Sequence, residues 1–161
     1  MKTLILLRHA KSHRIDRGMD DFERPLSNTG IYQAEAMGEL LSEKSLIPDA
    51  IYTSDAERAS QTTDLVLDQL SSPCPVYEEN NLYEAEVDLY LDMFKELSPS
   101  MSTVLFVGHN PVIEETASHL CGQAIHLSTC TAIVLTLPVT NWEDIDTARL
   151  EVEPKILRVE V

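Results

Sequence analysis

The sequence is poor in glycine (5 of 161 residues), aromatic residues (6%) and cysteine (3), and short of positive charge, with 12 Lys and Arg against 27 Asp and Glu. Scarce glycine together with only 8 prolines excludes a collagen-like or low-complexity chain. Cys74, Cys121 and Cys130 are odd in number and lack the close paired spacing of a zinc site, so free thiols in a reducing compartment fit them and the cytoplasm is the expected location. A formal charge of −15 speaks against nucleic acid and anionic lipid as bulk partners. No apolar run approaches the roughly 20 residues of a membrane span. The apolar residues 3–7 are too few for the core of a signal peptide and are followed at once by Arg8, His9 and Lys11. What is present is ordinary for a globular protein: 43% hydrophobic and 24% charged residues, enough for a real core. The length suits one domain, expected to span residues 1–161.

The apolar pattern alternates between two periods. Residues 3–7 form a continuous apolar run of the kind that makes a strand buried on both faces. Ile31, Ala34, Met37, Gly38 and Leu41 then fall on one helical face, behind Ser27 and Asn28 as caps. Residues 50–52 predict a short strand. Ser54 to Glu57 reads as a capping box opening a helix that carries Ala59, Val66 and Leu70 inward. Val87, Tyr90, Leu91, Phe94 and Leu97 recur at helical spacing, and residues 104–107 predict another buried strand. Asn110 is expected to cap, and Pro111 to open, a helix presenting Ile113, Ala117 and Leu120. Residues 132–137, 148–152 and 156–161 read as further strands, with a turn at 141–146. The alternation predicts a three-layer α/β/α sandwich on a mostly parallel central sheet. In such sheets ligands bind beyond the carboxyl ends of the strands.

Four residues fall at those ends. Arg8 and His9 follow the first strand, Arg58 lies in the first turn after the second, and His109 follows the strand at 104–107. Singly, each reads as a loop or turn residue. Together, on one edge of so acidic a chain, cationic and potentially cationic groups repel one another unless an anion lies between them. Arginine suits a phosphoryl group because its planar fork grips two oxygens and stays charged. Helix amino ends after Asn110 and near Ser54 would add amide donors. His9 supplies a nucleophile, since an imidazole can displace a leaving group at phosphorus, and neighbouring arginines favour its neutral form.

The residues around these positions resemble a known family. Leu-Leu-Arg8-His9-Ala10 is similar to the Arg-His-Gly signature of the histidine phosphatase superfamily, which includes the phosphoglycerate mutases. Leu26-Ser-Asn-Thr-Gly30-Ile-Tyr-Gln33-Ala34, Ser54-x-x-x-Arg58-Ala59-x-Gln61-Thr62 and Val-Gly108-His109 resemble its later motifs and stand in the same order. Length, Arg24-Pro25-Leu26 and Leu82-Tyr83-Glu84-Ala85 resemble the short, SixA-like branch of phosphohistidine phosphatases. The resemblance implies a phosphoglycerate mutase-like fold and phosphorylation of His9. It further implies that Arg8, Arg58 and His109 bind the phosphoryl group and stabilise its charge in the transition state, with no metal and no cofactor. The sequence departs from the family at Ala10, which stands where glycine is usual.

Glu84 aligns with the family's proton donor, although the usual glycine soon after it is absent and Glu78, Glu79, Glu84, Glu86 and Asp88 also read as a solvated acidic face. Lys11, Ser12 and Asn110 stand where they can contact phosphate or substrate, or serve simply as loop and cap. Arg24 either reaches the substrate or pairs with Asp20, Asp21 or Glu23. The function expected from all this is a metal-independent phosphatase acting on phosphohistidine in a protein. The span between Thr53 and Asn81 leaves room for one helix and no lid, so an open site is expected. The alternative substrate is a small phosphorylated metabolite, and a noncatalytic phospho-ligand module is a third reading that an intact His9 disfavours.

Overall fold

In the first strand Leu4, Ile5, Leu6 and Leu7 expose nothing, and alternate side chains enter different cores. Leu4 and Leu6 join one cluster while Ile5 and Leu7 join the other. That split requires cover on both sides of the sheet, because successive strand side chains point to opposite faces. The computed structural model describes residues 1–15 and 18–160. In chain order run β1 (Lys2–Arg8), α1 (Asn28–Glu43), β2 (Ala50–Ser54), α2 (Glu57–Gln69), β3 (Val76–Glu79), α3 (Val87–Lys95), β4 (Thr103–Gly108), α4 (Val112–Cys121), β5 (Ala132–Leu137) and β6 (Lys155–Leu157). Short 3-10 turns occupy Asp21–Glu23, Asn80–Leu82 and Trp142–Thr147.

The six strands lie in the order β3-β2-β4-β1-β5-β6. The pairs β3–β2, β2–β4 and β4–β1 are parallel, whereas β5 runs antiparallel to β1 and β6 antiparallel to β5. Residues from α1 and α2 fill the core on one face, and residues from α3 and α4 fill the core on the other. The fold is the expected three-layer α/β sandwich with a mostly parallel sheet. Because β1 feeds a helix on one face and β4 a helix on the opposite face, the chain parts between these neighbouring strands and opens a crevice at their carboxyl ends. Arg8 pairs in register with Gly108, so the residues that follow each strand emerge side by side.

Two glycines hold this geometry. A Cβ on Gly30, in the first turn of α1, would lie 1.9 Å from the Lys11 carbonyl oxygen, so only glycine lets α1 approach the loop leaving β1. On Gly108 it would meet the buried Tyr90 hydroxyl at 2.1 Å. Ser27 caps α1 as expected, accepting from the Gly30 amide at 3.1 Å.

Several local expectations are corrected. Ser54 does not open a capping box: it is the last residue of β2, Ala56 is the N-cap of α2, and no side chain caps that helix. The α4 N-cap is Pro111 rather than Asn110, whose side-chain amide is spent on Glu114 and the Leu127 carbonyl. Residues 148–152 form no strand, since Ala148 and Leu150 pack on the core while their backbone finds no ladder partner. Residues 141–146 fall mostly in a 3-10 turn around the buried Trp142. The last strand is limited to β6, three residues paired with β5, and the expectation for Val161 lies outside the described residues. The edge strand β3, short and half polar, escapes a reading based on apolar runs.

Candidate active site

His9 and His109 leave the ends of β1 and β4 with ring centroids 5.2 Å apart. The His9 amide donates to the Gly108 carbonyl at 3.0 Å, continuing the ladder by one rung. Cys130, held in the left-handed region at φ 51°, donates its amide to the carbonyls of Arg8 and His9 at 3.1 and 3.0 Å. Ala10 is not among the positive-φ residues, which accounts for its tolerance where glycine is usual. Its amide donates to Thr62 Oγ1 at 3.0 Å, and the Thr62 hydroxyl donates to the Arg58 carbonyl at 2.7 Å. That one side chain fixes the His9 loop against the turn that carries Arg58. Gln33 and Gln61 act likewise, their side-chain oxygens accepting from the Lys11 amide at 2.9 Å and the Leu26 amide at 2.7 Å.

The tautomer of each imidazole follows from its partner. His9 Nδ1 meets the Ala10 carbonyl at 2.7 Å, and a carbonyl only accepts, so Nδ1 carries the proton and Nε2 keeps its lone pair. His109 Nε2 lies 2.8 Å from Ser54 Oγ. The buried Ser54 hydroxyl has no other acceptor among the described residues, so it donates to Nε2 and leaves the His109 proton on Nδ1. Burial pushes the His9 pKa down to about 4, with Arg58, Arg8 and Arg24 adding to the effect. Burial likewise pushes His109 down to about 3, reinforced by His9 and Arg58. Desolvation outweighs the arginines as the main reason that both rings are neutral.

Arg8 donates from Nη1 to the Leu127 carbonyl at 3.1 Å. Arg58, 5% exposed, donates from Nη1 to the Asp21 carbonyl at 2.8 Å and from Nη2 to Asp21 Oδ2 at 3.1 Å. Each guanidinium is thus held by its terminal nitrogens. Arg8 Nε, Arg58 Nε and His109 Nδ1 are buried and have no partner among the described residues. Buried donors without acceptors are rare and costly, of the order of 1–3 kcal/mol each. Their combination with a cationic surround suits an oxyanion carrying several acceptor oxygens.

The other expected residues have varied surroundings. Glu84 is exposed and lines a cleft of about 550 Å³ together with Tyr83, Glu86, His109, Asn110 and Glu115, among others. This cleft reaches the histidine pair through His109, while His9, Arg8 and Arg58 stand outside its lining. Asn110 Nδ2 donates to Glu114 and to the Leu127 carbonyl, each at 2.9 Å, steadying the segment that also receives Arg8. Lys11 is exposed, and its carbonyl accepts from Ser27. Arg24 is engaged by the Asp21 carboxylate, the Ser12 hydroxyl and the His13 carbonyl. Of the two sequence readings of Arg24, the ion pair with Asp21 forms, at 2.8 Å. Sequence reasoning missed Ser54 as the His109 partner, and also Asp21 and Tyr83. The only signal for Asp21 was its place in an acidic run beside Arg24.

Comparison with known proteins gives the family and the fold. Residues 4–102 match the model of the histidine phosphatase superfamily (branch 1). An uncharacterised chloroplastic protein of Arabidopsis thaliana is 33% identical over 156 residues, covering 89% of this chain and 70% of the relative. A crystal structure from Agrobacterium tumefaciens, assigned as the phosphohistidine phosphatase SixA, superposes with a TM-score of 0.83 at 27% identity, covering 98% of both chains. The protein histidine phosphatase SixA complexed with tungstate superposes at 0.82 with 21% identity, covering 97% of this chain and 96% of its own. The chain belongs to the histidine phosphatase superfamily, and its likeness to SixA structures runs over nearly its whole length. No helix among the described residues is long and apolar enough to cross a membrane.

Proposed function

We propose that the protein is a phosphatase that passes the phosphoryl group through His9, with phosphohistidine on a protein as its preferred substrate. The reading treats residues 1–161 as one catalytic domain, supported by the single sheet that borders both cores. The observation that carries it is the set of three unpartnered buried donors, Arg8 Nε, Arg58 Nε and His109 Nδ1, around a neutral His9. In the first step the His9 Nε2 lone pair forms a bond to phosphorus as the bond to the leaving group breaks, the electron pair departing with that group. Arg8, Arg58 and His109 meet the charge on the equatorial oxygens, as a loose transition state requires, without a metal. Water then attacks the phosphohistidine, releases inorganic phosphate and restores His9.

Transfer from one imidazole to another exchanges like for like, so it makes little demand on a proton donor. The exposed cleft and the absence of a side-chain partner for Glu84 among the described residues support a site open enough for a protein substrate. A small phosphate ester is the second reading, favoured by Glu84 sharing the cleft with His109, where it would protonate a leaving alkoxide. The deciding experiment compares kcat/KM on a phosphohistidine protein with a panel of phosphate esters; faster turnover of an ester would reverse the preference. For the mechanism, His9→Ala should reduce turnover of p-nitrophenyl phosphate about 10⁴-fold or more and abolish an alkali-stable, acid-labile phosphoenzyme. Retained turnover in that variant would remove His9 as nucleophile.

A further inference from the structure

The proposed function leaves Asp21 unused, yet its carboxylate is among the most fully engaged side chains in the molecule. Oδ1 accepts from Arg24 Nε at 3.2 Å and Arg24 Nη2 at 2.8 Å. Oδ2 accepts from the Tyr83 hydroxyl at 2.6 Å and Arg58 Nη2 at 3.1 Å. The Asp21 backbone carbonyl takes Arg58 Nη1 at 2.8 Å. One residue therefore joins three segments distant in sequence: the loop leaving His9, the first turn of α2, and the segment before α3. Tyr83 in turn sets its ring edge-on to His109, with centroids 5.6 Å apart, and lies 5.9 Å from the Arg58 guanidinium carbon.

A carboxylate touching a phosphate-binding arginine can do one of two things. It can occupy the anion's place and compete with substrate, or it can hold the arginine from behind. The geometry favours the second. Asp21 takes both terminal nitrogens of Arg58, through backbone and side chain together, and Arg58 Nε stays buried and unpaired. Arg8 follows the same pattern, its Nη1 on a carbonyl and its Nε unpaired among the described residues, with no carboxylate among them hydrogen-bonded to it and Glu114 acting only through its field. In both arginines the Nε edge is the part left for a ligand. The other bonds to Asp21, from Arg24 and Tyr83, leave no loose carboxylate that a substrate could readily push aside.

We propose that Asp21 is the positioning residue of Arg58: it fixes the guanidinium with its Nε edge free for the phosphoryl group and, through Tyr83, ties that placement to the wall beside His109. The inference rests on the phosphatase reading, because it assigns Asp21 a role through Arg58. Misplacing a reacting or binding group by about 1 Å can cost about 10²-fold in rate, so Asp21→Ala should lower kcat/KM on p-nitrophenyl phosphate by one to two orders of magnitude. Inhibition by tungstate should weaken in parallel.

Kinetics of Asp21→Ala, Arg58→Ala and the double variant, each with its thermal melt, test the assignment. Acting through Arg58, Asp21→Ala should add nothing measurable in the Arg58→Ala background. Asp21→Asn, which can still accept from Arg58, should recover part of the loss. Full additivity in the double variant would overturn the proposal, as would tighter tungstate binding by Asp21→Ala, the mark of a competing carboxylate. Should Asp21→Ala fail to fold, Tyr83→Phe provides the second arm: it removes one bond to Oδ2, and its smaller loss must also vanish in the Arg58→Ala background. Independence of the Tyr83 effect from Arg58 would count against the network. A wild-type protein inactive on every phosphate substrate yet still binding tungstate would mean failure of the phosphatase reading alone. The same double-variant cycle on tungstate affinity would then decide the role of Asp21.

Discussion

The two sides of the site differ in nearly every physical respect. The floor between β1 and β4 is buried and cationic, its side chains pinned by backbone carbonyls and by Ser54 and Asp21, and its backbone by Thr62. The rim, where Glu84, Glu86, Asp88 and Glu115 line the cleft, is acidic, and none of these carboxylates forms an ion pair among the described residues. Burial strengthens electrostatics and fixes geometry, whereas charges in water are screened and mobile. The floor is accordingly where reacting groups can be tuned. The rim can influence which substrate arrives, and with what leaving group, at far lower cost to the fold.

Breaking the floor should have the largest effect. Arg58→Ala or Arg8→Ala should lower kcat on p-nitrophenyl phosphate by about 10²–10³-fold, the usual loss for one preorganised donor to a developing oxyanion. Arg58→Lys should recover little, because an ammonium cannot reproduce the planar fork shared between Asp21 and a phosphoryl group. A loss below tenfold in both alanine variants would place the chemistry elsewhere.

At the rim, Glu84→Gln sharpens the contrast through the leaving group. If Glu84 is the proton donor, cleavage of an alkyl phosphate should slow by about 10²-fold, while phosphohistidine cleavage changes little. Equal effects on the two substrates would take Glu84 out of that role.

The smallest expected effect is in the pH profile. With the His9 pKa lowered to about 4, the acid limb of kcat/KM should fall near that value rather than at the ordinary imidazole value of 6.5. The unfolded chain takes up protons on these imidazoles near 6.5, the folded chain only near 4 for His9 and 3 for His109. Over the interval between, the unfolded state binds more protons, so stability is lost as pH falls from about 6.5. Above that range these groups contribute no slope. Thermal melts from pH 7 to pH 4 on the wild type and on His109→Gln would check this, the variant showing the shallower decline.

How much of this was legible in the chain depends on range along the sequence. The double burial of β1 and β4, the cap at Ser27 and the ordering of Arg8, His9, Arg58 and His109 at strand ends could be read directly, because each leaves a local pattern of period or spacing. Ser54 misled because a serine three residues before a glutamate is a capping signal, and nothing nearby says that its hydroxyl is needed by His109, 55 residues on. Residues 148–152 misled because alternation encodes which side chains turn inward, not whether a ladder partner is present. Asp21 looked like one more surface acid, since the bonds that distinguish it come from Arg58 and Tyr83, 37 and 62 residues away.

The sequence alone determined the layer architecture, the candidate nucleophile and the arginines, since those follow from apolar periodicity and from several cationic or potentially cationic residues falling together at one edge of the sheet of an acidic chain. Tertiary structure decided which nitrogen of each imidazole holds the proton, which edge of each arginine stays free, and that an acidic side chain belongs to a cationic site. These depend on hydrogen-bond partners brought together only when β1 and β4 lie side by side, and direction and desolvation are properties of that assembled space.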